Sequence, residues 1–250
     1  MVRQGRPAEL ELVVDPEVVA RFPEVQAAAL VATGLGAAGG GFAEAGRALL
    51  AQAAEAVRAA FPAPEDVVRD PRIDGWRRAI RSCGLSASDV RSSAEQLVRR
   101  LLRHDDLGAA LPLVQVYCAL SAKHVAPLGA YDVDRLPSST LAMRPAVTSD
   151  SFEPLDGAAS RFPLDPRVIV YGVDGEVVCW AFNHRDSART ALRDDTARAV
   201  FVAEAVTADQ RAPLAAALDD LRDVLERHGA HVGPVEVADG GRPRVSLAAP

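Results

Sequence analysis

Asn183-His184-Arg185-Asp186-Ser187 places an amide, an imidazole, a guanidinium, a carboxylate and a hydroxyl in five consecutive positions, directly after an apolar strand-type run. Loops that follow strands are common places for sites, and such a cluster serves general acid–base chemistry or holds a charged ligand; it also suits a hydrogen-bonded turn. Cys118 lies among apolar residues in the middle of a helical segment. It reads either as a small buried hydrophobe or as a nucleophile. A catalytic thiolate needs a histidine brought close by the fold; His124, six residues on, points to another helix face, which leaves His184 as the candidate partner. The histidines at 104, 124, 184, 228 and 231 show no ligand spacing, and Cys83, Cys118 and Cys179 form no paired-ligand pattern, so neither metal nor cofactor is expected. Gly34-x-Gly36-x-x-Gly39 has the shape of a dinucleotide fingerprint. Such a unit needs a second strand and an acidic residue about 20 positions on. Here that region is helical and ends in Phe61-Pro62-Ala63-Pro64, so a glycine-rich connector is the better reading.

Charge is unevenly spread. Between Arg69 and Arg103 nine arginines stand against Asp70, Asp74, Asp89 and Glu95, whereas from Asp194 to Gly240 ten acidic residues face four arginines, and the whole chain carries a formal charge of -6. The basic stretch fits contact with nucleic-acid phosphates, and it fits equally a solvated helix face with internal Arg–Glu pairs. A composition of 49% hydrophobic and 25% charged residues over 250 positions excludes disordered and fibrous classes. Val25 to Ala43 is free of charge, but Ala and Gly dominate it, so no membrane span is expected. The segment Met1 to Pro16 lacks the apolar core of a signal peptide. With three scattered cysteines, the chain reads as a protein of a reducing, cytoplasmic compartment.

The elements that must hold these groups follow from periodicity. Leu10, Leu12 and Val14 alternate as a first strand, and Ala27–Ala32 form a more buried one. Helices are expected over Phe42–Phe61, Ser88–His104, Pro112–His124 and from a Thr207/Gln210 capping box to Gly229. Strands are expected over Thr140–Pro145, Arg167–Val173, Glu176–Phe182, Arg198–Ala205 and Val232–Val237, with Asp174-Gly175 turning a hairpin. Segregated helices and mainly antiparallel strands give an α+β class, one domain over residues 1–250, with a helical N-terminal portion.

Several blocks carry a resemblance. Trp76-Arg77-Arg78, Ser92 through Arg100, Leu111 through Val114, Pro127-Leu128-Gly129-Ala130-Tyr131-Asp132, Arg144-Pro145-Ala146, Phe152 through Gly157 and Asn183 through Thr190 are similar to the free-standing relatives of the B3/B4 editing domain of the phenylalanyl-tRNA synthetase β-subunit, over residues 76–206. The resemblance implies a B3/B4-like fold and an amino-acid pocket that hydrolyses a mischarged aminoacyl ester without metal or cofactor. It places Asp186 at the pocket glutamate, to orient water or hold the substrate amine, with Asn183 and His184 as polar contacts. Tyr117, Cys118, Gly129, Tyr131, Arg144 and Glu153 would bind substrate, and Arg91, Arg99, Arg100 and Arg103 would contact RNA phosphates. The chain departs from the synthetase at Tyr117-Cys118, where that module has Thr-Asn, and at Gly129, where it has His. The implied function is trans-editing hydrolysis of an aminoacyl-tRNA or a smaller aminoacyl ligand, with no DNA and no membrane involved. Two alternatives remain: a non-catalytic tRNA- or amino-acid-binding protein, and a small-molecule biosynthetic enzyme reusing the pocket, with Cys118 as nucleophile.

Overall fold

The computed structural model describes residues 9–36, 39–157 and 162–250; residues 1–8 of the segment read as lacking a signal peptide lie outside the described residues. The strands are β1 (Leu10–Val14), β2 (Gln26–Thr33), β3 (Leu128–Asp132), β4 (Thr140–Pro145), β5 (Ile169–Val173), β6 (Glu176–Trp180), β7 (Arg185–Asp186), β8 (Arg198–Ala205), β9 (His231–Val232), β10 (Glu236–Asp239) and β11 (Arg244–Leu247). The helices are α1 (Pro16–Arg21), α2 (Gly39–Ala60), α3 (Pro71–Ser82), α4 (Ser93–Leu101), α5 (Pro112–His124) and α6 (Arg211–Arg227). Asp15, Asp70 and Ser92 accept first-turn amides at the starts of α1, α3 and α4. Proline opens α1, α3 and α5, where its missing N–H costs nothing.

Strands form two sheets. One runs β11-β1-β4-β5-β6-β7, antiparallel except for β1 beside β4; the other runs β10-β2-β8-β3, antiparallel throughout, with β9 also on β2. Central β2 and β8 are buried over nearly their whole length because both their faces are covered. Leu30, Ala32, Phe201 and Ala203 pack under the helices. Ala29, Val31, Val200 and Val202 pack against Leu12, Leu141, Met143 and Tyr171 of the other sheet. The layers are therefore helices, five-stranded sheet and six-stranded sheet, an α+β arrangement with mostly antiparallel strands.

Some boundaries differ from the expected ones. Helix α4 starts at Ser93, not Ser88, because the Ser92 hydroxyl caps it at the Glu95 amide, 3.3 Å away. Helix α2 begins at Gly39, so its first glycines belong to helix rather than connector. Strand β6 stops at Trp180 because Ala181 and Phe182 take φ of 52° and 61°. Short α1 and β3 carry too few periodic residues to read, and β11, which pairs with β1, lies beyond the last expected strand. The Gln210 side-chain oxygen accepts from the Thr207 amide, 3.1 Å, as a capping box requires.

The Asp174-Gly175 turn is as expected: φ is 45° and 78°, and β5 and β6 pair across it. A Cβ at Gly175 would meet nothing within 4 Å, so only backbone conformation resists a side chain there. Gly175→Ala should therefore cost about 1 kcal/mol in urea unfolding. An unchanged midpoint would show that this turn relaxes freely.

Candidate active site between the sheets

Strand β8 alternates. Ala199, Phe201, Ala203 and Ala205 face the helices, and Val200 and Val202 face the six-stranded sheet. The same parity directs Glu204 between the sheets, where it is 3% exposed. The Tyr171 hydroxyl donates to its Oε2 at 3.4 Å. From the neighbouring strand, Gly129 pairs with Val202 and shares that face with Tyr131.

The opposite wall is the β6–β7 hairpin. Left-handed backbone at Ala181 and Phe182 costs about 1–2 kcal/mol per residue. The Phe182 ring offsets this between Phe22 and Trp76, each 5.4 Å away in edge-on contact. The strained turn delivers Asn183 and, three residues beyond, Asp186, which pairs with Cys179 of β6. It also docks on the start of α4. Asn183 Oδ1 accepts from the Ser93 amide at 3.0 Å, and Gln96 Nε2 donates to the carbonyls of Arg91 and His184 at 3.0 and 3.2 Å.

Ser93, Leu128, Gly129, Tyr131, Cys179, Asn183, Asp186, Val202 and Glu204 line a small cavity of about 20 Å³. Two of its polar atoms, Ser93 Oγ and Asn183 Nδ2, are buried without a hydrogen-bond partner. The Asn183 amide lies near enough to Glu204 to favour its charged form, but no bond of good geometry joins them. Burial, helped by the Asp186 charge, pushes the Glu204 carboxyl up to about 8 against the Asn183 and Tyr171 contacts. Asp186 is also raised by burial, opposed by the Cys179 thiol and Arg185. It keeps partial exposure, because it opens on the cavity.

Of the residues expected in the site, Asn183, Asp186, Gly129 and Tyr131 line this cavity. Tyr117 and Cys118 stand beside it on α5, close enough for Asp186 to raise both, but Tyr117 packs edge-on against Phe201. Burial drives the Cys118 thiol up to about 12, which leaves no thiolate at neutral pH and removes the chemistry expected of a nucleophile. His184 does not line the cavity: its ring sits on Trp180, 5.6 Å away, with Nδ1 2.8 Å from the Arg91 carbonyl oxygen. Arg144 is held bidentate by buried Asp150, both contacts 2.8 Å, and covers Gly172. Glu153 pairs with Arg189 at the surface. Neither lines the cavity, because each is already committed to an ion pair. Glu204, Cys179, Ser93 and Tyr171 were missed; the legible signal was one glutamate inside the apolar run of β8.

The basic stretch is partly neutralised. Fully buried Glu95 binds Arg77 and Arg99 at 2.8 and 2.9 Å and stands 3.7 Å from Arg91. Arg100 pairs with exposed Asp106, and Arg103 is exposed with no ion-pair partner among the described residues. Arg91, Gln96, Arg99, Arg100, Arg103 and His104 nevertheless line one solvent-open groove of about 280 Å³. Among the described residues no cluster of three or more His, Cys, Asp or Glu could hold a metal, and no helix is long and apolar enough to cross a membrane.

Glu204 has a pH signature. The folded chain keeps its proton up to about 8, whereas the unfolded chain releases it near the usual 4.5. The stabilisation is complete below pH 4.5 and is lost as pH rises to about 8, a decline on the order of 4 kcal/mol. Glu204→Gln should flatten this slope and raise stability at pH 8.5. Denaturant unfolding across pH 5–9 checks it, and an unaltered slope would contradict it.

A family model described as the B3/4 domain matches residues 75–224, and every residue lining the cavity falls inside that span. No curated protein matches the chain. Among solved structures, an N-terminal fragment of the phenylalanyl-tRNA synthetase β-subunit from Pyrococcus horikoshii is similar at 9% identity and a TM-score of 0.44, over 93% of this chain and 52% of that one. The chain thus spans about half that fragment's length. With more than half of its 250 residues matched by the family model, the chain belongs to the B3/4 domain family.

Proposed function

We propose that this protein binds an aminoacyl group esterified to tRNA, or a smaller aminoacyl compound, and hydrolyses the ester in the cavity between its sheets. The observation that carries this reading is the placement of α4. Its first residue, Ser93, lines the cavity, while Arg99, Arg100 and Arg103 farther along line the basic groove. One rigid helix therefore connects a site for an acyl group with a site for phosphates, the two parts of a charged tRNA end.

The chemistry needs no strong nucleophile, because an activated ester requires mainly a positioned water and a polarising donor. In this reading Asp186 accepts a proton from a water that attacks the ester carbonyl. The acyl–oxygen bond breaks, and the leaving ribose oxygen takes that proton back from Asp186, which restores the starting state. Such a protein would work in the cytoplasm, where charged tRNA is made. A second reading, binding without hydrolysis, is favoured by one observation: no histidine lines the cavity.

Loss of ester from a panel of correctly and wrongly charged tRNAs tests the reading. Asp186→Asn should lower deacylation at least tenfold, about 1.4 kcal/mol, with no loss of melting temperature. Intact tRNA binding with no deacylation of any member would leave the binding-only reading. Reversing Arg100 and Arg103, the arginines not tied to Glu95, to Glu should weaken tRNA binding and flatten its salt dependence. Unchanged affinity would point to a small ligand instead.

A further inference from the structure

The cavity has two chemically distinct sides. On one, Asn183 Oδ1 accepts from the Ser93 amide at 3.0 Å, which leaves Nδ2 near Glu204 where the two sides meet; Nδ2 and the Ser93 hydroxyl are buried on cavity-lining residues, and neither has a hydrogen bond of good geometry among the described residues. Leaving two buried donors unmade is costly, so a bound acceptor oxygen, from solvent or ligand, completes them. These donors also stand at the start of α4, where the helix dipole favours partial negative charge. On the other side are the acceptors, Asp186 and Glu204.

Space is limited. The chain contains three tyrosines, and all of them crowd these acids. Tyr131 lines the cavity with its hydroxyl 3.6 Å from where a Cβ at Gly129 would stand, and Tyr171 sets its own phenol on Glu204. The space beside the acids is thus bounded by the protein's own rings, Tyr131 and Tyr171. What remains is a small cavity of about 20 Å³, too little for an added aromatic ring.

We propose that the cavity receives a small aminoacyl headgroup, glycyl, alanyl or seryl, with its carbonyl oxygen on Ser93 and Asn183 and its ammonium on Asp186 and Glu204, and that it excludes aromatic amino acids. This rests on the aminoacyl reading above and adds its size limit and its polarity.

Calorimetric titration of the full chain with glycinamide, alaninamide and tyrosinamide tests the size limit, since these amides keep the ammonium and carbonyl but resist hydrolysis. Glycinamide and alaninamide should bind at least tenfold more tightly than tyrosinamide. Ser93→Ala should weaken alaninamide binding at least fivefold with little change in melting temperature. Tyr131→Ala, or Val202→Ala if the first does not fold, should tighten tyrosinamide binding relative to alaninamide. Tyrosinamide binding as tightly as alaninamide to the unmodified protein would overturn the size limit and leave the aminoacyl reading standing. Failure of all three amides to bind would overturn both.

Discussion

Two carboxyl groups held where water is scarce set the terms for this fold. Glu204 lies on a strand buried on both faces, and Asp186 opens on the same small cavity. Charging such groups costs free energy, and the surroundings offset only part of it: a phenol on Glu204, a thiol and a guanidinium near Asp186. An acid pair of this kind destabilises the native state at neutral pH. Its presence is better explained by function than by folding, in the way that perturbed acids often mark sites.

The hairpin that delivers Asp186 shows the same trade. Two successive non-glycine residues in left-handed conformation are held by Phe182 between Phe22 and Trp76, and by hydrogen bonds to the start of α4. Helix α4 is in turn tied to α3 by Glu95, whose buried carboxylate binds Arg77 and Arg99. Removing one partner of such a buried group is far more damaging than losing a surface pair. Cavity and basic groove thus share a support, and a shift of α4 would be felt at both.

How much of this was legible in the sequence depended on whether the physics was local. The Asp174-Gly175 turn, helix α5 opening at Pro112 and strand Arg198–Ala205 follow from neighbouring residues and appear as expected. The end of β6 did not, because Ala181 and Phe182 have no local reason to turn left-handed; long-range ring packing imposes it. Asp186 and Asn183 were found as a dense polar cluster. Glu204 was not, since its role depends on strand parity and on a second sheet more than 30 residues away in sequence, where Tyr171 lies. His184 looked catalytic for the same reason that Asn183 did, and only the fold separates a residue facing the cavity from one turned onto Trp180.

The proposed ligand places an ammonium beside the acid pair. Carbon-13 NMR of the glutamate side-chain carboxyls, recorded across pH with and without alaninamide, tests it most directly. The account predicts one glutamate titrating near pH 8 in the free protein, absent in Glu204→Gln. On addition of alaninamide that midpoint should move toward the ordinary carboxylate range, because a cation beside Glu204 favours its charged form. A glutamate set that titrates only near 4.5, or a Glu204 midpoint indifferent to saturating alaninamide, would contradict it.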